Sequence, residues 1–169
     1  MSEFLCNLVI PGAAKSGTSS LHALLGEHRR VHMSSPKGPQ FFSFDDLYQK
    51  GAESHNSIFE EKSGYDYYGE SSQSYFVHEH AVKRIEKDLD DPKIILLLRH
   101  PVERLLSHYR WRYKHAVEDR PFLQAVREGG MDTTYEYDPG FGMYAERGGG
   151  YIAFSQYSKY VPLWKGSVG

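Results

Sequence analysis

The segment that most constrains this chain runs from residue 5 to residue 25. An apolar stretch, LCNLVI (5–10), gives way to a loop of small residues, PGAAKSG (11–17), and then to Leu21, Leu24 and Leu25 at helical spacing. A short continuous apolar run containing Val and Ile suits a buried strand, and Pro11-Gly12 suits its end. Thr18, Ser19 and Ser20 offer helix-start signals. The segment therefore predicts a strand, a tight loop and a helix. Small residues let backbone N–H groups approach an anion closely, the helix N-terminus adds donors and a favourable dipole, and Lys15 adds a full charge. The hydroxyls of Ser16, Thr18, Ser19 and Ser20, together with the Gly17 backbone, complete a candidate phosphate-binding loop. It is not a Walker A loop, in which the lysine follows the second glycine, because Lys15 precedes Gly17. A Ser-capped helix after an ordinary loop would carry the same letters.

A second junction of the same kind lies at KIILLLRHPVERLLSHYRW (93–111). The run KIILLL predicts a strand buried on both faces. Arg99 follows directly, at the carboxyl edge where open α/β sheets bind ligands. Pro101 suits a first helical position, and Val102, Leu105, Leu106 and Tyr109 recur at helical spacing. Ser107, two turns in, can share one phosphate with Arg99. The plainer alternatives are an Arg99 paired with an acid and a Ser107 on a helix surface. Strands are also expected at Val31–Met33 and Tyr65–Glu70, helices at 75–89, 121–128 and 151–161 (ending before Pro162), and two short helices within 41–61. Residues 129–150 hold seven glycines (129, 130, 140, 142, 148, 149, 150) and predict a flexible loop. Strands alternating with helices indicate an α/β fold with a parallel sheet flanked by helices.

Composition narrows the partners. A length of 169 residues suits one domain spanning 1–169, and 40% hydrophobic with 14% aromatic residues argues against disorder. No apolar run approaches twenty residues, so no membrane span is expected. The start MSEFLCNLVIPG lacks the basic region of a secretory signal, so a cytoplasmic location is expected. A net charge of -2 gives no global bias toward nucleic acid, so an anion site has to be local. Cys6 is the single cysteine, which excludes an intrachain disulfide. The pair His78-x-His80 is no recognisable metal signature, so no metal is expected and both are expected as solvated helix histidines. The helix 99–115 carries Arg99, Arg104, Arg110, Arg112 and Lys114 against Glu103. Such a helix suits an exposed face, an acceptor contact or a nucleic-acid patch.

Together, AKSGTSSL and the Arg99…Ser107 pair resemble the PAPS-dependent sulfotransferases, particularly the heparan sulfate and bacterial carbohydrate branch. GESSQSYF (69–76) is similar to that family's G-E-x-[ST]-P-[SA]-Y segment, with Gln73 at the proline, and RGGGYIAFSQYSKYVPLW (147–164) to the helical segment before its last strands. The resemblance implies a P-loop-like sheet, and 3′-phosphoadenylyl sulfate (PAPS) as co-substrate without a metal. It further implies sulfuryl transfer to an acceptor hydroxyl or amine of a small molecule or carbohydrate, leaving adenosine 3′,5′-bisphosphate (PAP). Lys15 would stabilise the leaving phosphate, residues 16 to 20 would hold the 5′-phosphate, and Arg99 with Ser107 the 3′-phosphate. Relatives place a glutamate base after a lysine, in K-E-x-x-F-F. Here the segment is Lys37-Gly38-Pro39-Gln40-Phe41-Phe42, so the base position is Gly38. His32 and Glu70 are the candidate replacements. His32 equally suits a satisfied strand residue, and Glu70 a structural hydrogen-bonding carboxylate. Family members usually continue past the helix at 151–161, so a domain shortened at its carboxyl end is expected. A catalytically impaired PAPS- or PAP-binding homologue is the alternative; a P-loop kinase is disfavoured by the place of Lys15.

Overall fold

The first apolar run forms β1, Leu8–Gly12, with all five residues buried. In a computed structural model, which describes residues 3–60, 63–138, 143–146 and 148–165, β1 is an inner strand of a parallel four-stranded sheet. Its order is β2–β3–β1–β4, with β2 at Val31–Met33, β3 at Tyr67–Glu70 and β4 at Lys93–Leu96. Val9 stands opposite Glu70 on one side and Ile94 on the other, and Met33 opposite Gly69. Helices make the crossovers that parallel strands need. They are α1 (Thr18–Gly26), the short α2 (Asp45–Tyr48) and α3 (Gly51–Asn56), and α4 (Glu79–Asp88). Leu8, Ile10, Val31 and Met33 form a core on which Leu21 and Leu25 of α1 pack, with Ile95 and Leu97. Ala81, Val82 and Ile85 are the buried stripe of α4.

The described residues group into two compact units, one drawn from Met1–Ala13, Gly17–Leu98 and Lys159–Gly169, the other from Ala14–Ser16 and Arg99–Ser158. The first contains the sheet. Two expectations change there. The strand at 93–98 ends at Leu96 and stands at the sheet edge, where Ile94, Ile95 and Leu96 are half-buried rather than enclosed on both faces. The helix expected over 75–89 is a 3-10 turn, Gln73–Val77, followed by α4, because His78 is extended and breaks the run. Of the two histidines expected as solvated, His80 is exposed and His78 is half-buried. It stacks on His80, with ring centroids 5.0 Å apart, and burial followed by the His80 charge lowers its pKa to about 4.

The second unit contains α5 (Pro101–Lys114), α6 (Phe122–Gly129) and an antiparallel pair, β5 (Tyr135–Asp138) with β6 (Met143–Glu146). A 3-10 turn at Ala153–Ser155 leads into α7, Tyr157–Lys165, which continues through Pro162 and whose last residues belong to the first unit. Pro162 leaves the Ser158 carbonyl without its helical donor, and Ser158 is exposed to water. The inward face of α5 reverses the expected one. Arg104, His108 and Arg112 are its buried stripe, while Val102 is 65% exposed. Arg104, wholly buried, donates to the Tyr151 carbonyl and to Ser155 Oγ, each at 2.7 Å, with His108 Nδ1 at 3.3 Å. Two of the five basic residues expected as a surface patch are therefore interior groups.

The glycines of 129–150 also serve a different end. Gly140 and Gly142 lie outside the described residues, but the rest are packed rather than loose. Gly150 N donates to Gly129 O at 3.0 Å, and Ile152 N to Gly130 O at 2.7 Å. A Cβ on Gly148 would overlap the carboxyl group of Asp132. Close backbone approach, not freedom, requires glycine there. Among the described residues no helix is long and apolar enough to cross a membrane.

Candidate active site

Two strand-to-helix junctions leave the carboxyl ends of the adjacent strands β1 and β4, whose ends are held together by Ala13 N to Leu97 O (2.7 Å) and Leu97 N to Gly12 O (2.9 Å). After β1 the chain turns through Lys15 (φ 66) and Gly17 (φ 97) before α1 begins. No side chain caps α1 and no acid occupies its first turn, so its leading N–H groups face no built-in anion. Thr18 is buried there, and Ser19 and Ser20 are exposed. Ser16 Oγ is buried without a hydrogen-bond partner among the described residues.

Lys15 and Arg99 both belong to the second unit. The Lys15 ammonium lies 5.3 Å from the centre of the Trp111 ring, a cation–π distance. Burial, and then the positive charge of Arg99, lower its pKa. Arg99 Nε is 3.2 Å from Glu103 Oε2, one turn on, and its backbone N–H reaches Tyr157 Oη at 3.4 Å. Ser107 is half-buried on α5, two turns past Arg99. The ion pair with Glu103 is exposed, so it contributes only about 0–1 kcal/mol and yields readily to a stronger anion.

The two candidate bases sit in the first unit. His32, half-buried on β2, has its ring 4.9 Å from Tyr65 and 6.1 Å from both Phe59 and Tyr68. Glu70, wholly buried at the end of β3, accepts from Ser72 at 2.9 Å and from Tyr75 at 3.0 and 3.1 Å, and faces His55 Nε2 at 3.0 Å. Both of its oxygens are occupied, and the carboxylate is sealed from an acceptor. Glu70, Ser72 and Tyr75 all come from GESSQSYF, so that segment ties β3 to the turn after it. Cys6, His55 and Glu70 are the one group of three metal-ligand side chains among the described residues, their ligand atoms within 4.8 Å of one another. Burial and then the Glu70 charge push the Cys6 thiol well up.

No protein-family model matches the chain. Among curated proteins, the membrane-associated sulfotransferase kil1 of Dictyostelium discoideum is 32% identical over 114 residues, covering 64% of this chain and 24% of that protein. The bifunctional heparan sulfate N-deacetylase/N-sulfotransferase 1 of Xenopus laevis is 32% identical over 114 residues (64% and 13%). The human heparan sulfate glucosamine 3-O-sulfotransferase 6 is 33% identical over 101 residues (60% and 29%). The crystal structure of a sulfotransferase from Alicyclobacillus acidocaldarius superimposes with a TM-score of 0.81 at 24% identity, covering 97% of this chain and 69% of that one. Over 60–64% of its length the chain is similar in sequence to sulfotransferases, and its fold is like that of a solved one. It spans between 13% and 29% of the length of these curated relatives.

The glycine at position 38, where the resembling segment has glutamate, has a structural counterpart. Gly38 has φ +77, which L side chains rarely adopt, and a Cβ there would stand 3.7 Å from the Ser71 carbonyl oxygen. The loop has settled into a conformation that suits glycine and not glutamate. A further titratable group lies close by that the sequence did not single out. His22 of α1 has its Nδ1 2.9 Å from Ser71 Oγ. Its one local signal is the spacing of four from Thr18, which puts both on one side of the helix.

Proposed function

We propose that the chain transfers a sulfuryl group from PAPS to a hydroxyl or amine of a carbohydrate or small-molecule acceptor, leaving PAP. The observation that carries this reading is the pair of junctions at the joined carboxyl ends of β1 and β4, one leading through Lys15 to an α1 whose first turn has no side-chain cap and no acid, the other leading to Arg99. Lys15 and Arg99 follow the two junctions from which open α/β sheets bind phosphates, and the exposed Glu103 partner of Arg99 yields to a phosphate. Lys15 stabilises charge on the bridging oxygen of the leaving phosphate. The hydroxyls of Ser16, Thr18, Ser19 and Ser20 and the Gly17 N–H hold the 5′-phosphate, and Arg99 with Ser107 the 3′-phosphate. Positioning and charge carry such an in-line transfer, with little covalent work by the protein. The resemblance to carbohydrate sulfotransferases supports the acceptor class.

The test is transfer of labelled sulfate from PAPS to a panel of glycans, phenols and amines, alongside thermal stabilisation by PAP. At a concentration about 100 times its dissociation constant PAP adds about 2.7 kcal/mol of apparent stability. Lys15→Ala is expected to abolish transfer. No thermal shift with PAP sinks the reading. A shift without transfer to any acceptor favours the second reading, a catalytically impaired PAPS- or PAP-binding homologue, which the glycine conformation at position 38 supports.

A further inference from the structure

An acceptor hydroxyl must lose its proton during transfer, and position 38 has no side chain to receive it. The ring of His22 lies beside the same stretch of backbone. Its Nδ1 is 2.9 Å from Ser71 Oγ, and Ser71 is the residue whose carbonyl a Cβ at position 38 would meet. Three separate segments of the first unit, α1, the loop after β2 and the turn after β3, thus bring His22, Gly38 and Ser71 together. We propose that His22 is the general base of this chain, taking the acceptor's proton in place of a carboxylate at position 38, with Ser71 fixing its ring.

This inference rests on the transfer reading above. With Nδ1–H donating to Ser71 Oγ, Nε2 carries the lone pair. In the step the acceptor oxygen bonds to sulfur, and the bond from sulfur to the bridging phosphate oxygen of PAPS breaks. That oxygen keeps the electron pair, and the acceptor's proton moves to Nε2. The surroundings suit this cycle. Burial first, then the Lys37 ammonium, lower the pKa of His22, while the Ser34 main chain and the Glu70 carboxylate oppose them. The ring is neutral near pH 7 and able to accept a proton, and the Ser34 carbonyl and Glu70 stabilise the imidazolium once formed. His22 is half-buried, whereas Ser71 is 1% exposed, so the ring rather than the hydroxyl is open to an acceptor. Glu70, the carboxylate that acts on the ring, is closed off by its own network.

The experiment compares the full chain with His22→Asn, whose side chain can keep a hydrogen bond to Ser71, and with His22→Ala, using PAPS and the best acceptor of the panel. His22→Asn is expected to lower kcat by about 10²–10⁴-fold. It should leave the PAP thermal shift unchanged and remove the acidic limb of the kcat/KM profile. Imidazole added to His22→Ala is expected to restore at least part of the lost rate. Transfer by His22→Asn at the wild-type rate with the same acidic limb overturns the proposal and leaves the transfer reading standing. So does a His22→Ala protein that still binds PAP and gains nothing from imidazole. Wild type that binds PAP and transfers to no acceptor sinks the transfer reading and the assignment of His22 with it, and favours the impaired homologue.

Discussion

Replacing Arg104 by Met separates what this buried guanidinium holds together from the space it fills. The two 2.7 Å bonds, to the Tyr151 carbonyl and to Ser155 Oγ, are lost, while most of the volume is kept. A hydrogen bond from a charged donor contributes about 1.5–3 kcal/mol. The low end applies, because Ser155 Oγ still donates toward the carbonyls of Tyr151 (3.1 Å) and Pro101 (3.2 Å), so neither acceptor is fully orphaned. Two such bonds amount to about 3 kcal/mol, and release from burying a charge offsets part of it, leaving a net loss of about 2–3 kcal/mol. For a chain of this size that corresponds to a fall in Tm of about 4–12 °C. Arg104→Lys keeps the charge but not the planar fork, so it is expected to fall by a similar amount. The assay is thermal unfolding followed by circular dichroism. A Tm for Arg104→Met within about 2 °C of wild type would refute the claim that this side chain organises the second unit.

Gly148→Ala tests the packed reading of the glycine-rich segment. Its Cβ would overlap the Asp132 carboxyl, which also holds Thr134 through N–H (2.9 Å) and hydroxyl (2.6 Å) bonds. A loss of about 1–3 kcal/mol in urea unfolding is expected, against less than about 0.5 kcal/mol for a loose loop. Glu118 carries a pH dependence. The Arg120 guanidinium, bonded at 2.7 and 2.8 Å, and the Tyr151 hydroxyl at 2.8 Å hold its pKa at about 2, against 4.5 ordinarily. Depressed in the folded state, it contributes about 3 kcal/mol that is fully present above its ordinary pKa and is lost as pH falls toward the folded value. Urea midpoints at about pH 5 and about pH 2.5 check this, and Glu118→Gln should flatten that acid dependence.

The strand, loop and helix around Lys15 were legible because each of their determinants is local. A run of apolar residues, a string of small ones and a change of period lie within about twenty residues of one another. The inward face of α5 was not, because what buries Arg104 lies 47 and 51 residues away, at Tyr151 and Ser155. An apolar spacing points a helix inward only when nothing distant offers a better partner. The glycines of 129–150 misled for a related reason. Glycine marks both mobile backbone and backbone that must pass close to another group, and only the position of Asp132 against Gly148 distinguishes them. His22 escaped notice because its partner Ser71 is 49 residues on.

The amino-acid sequence by itself determined the fold class of this protein. Its alternating strands and helices, its two strand-to-helix junctions and the order of its motifs all follow from short-range patterns, and the glycine at position 38 is visible in the letters alone. Only the tertiary structure decided what the polar groups do. It closed Glu70 among Ser72, Tyr75 and His55, drew Arg104 inside, put Lys15 over Trp111 near Arg99, and set His22 beside the backbone facing Gly38. Burial, charge proximity and hydrogen-bond partnership are properties of groups distant in the chain, and they come into being when the sheet and its crossovers bring those groups together.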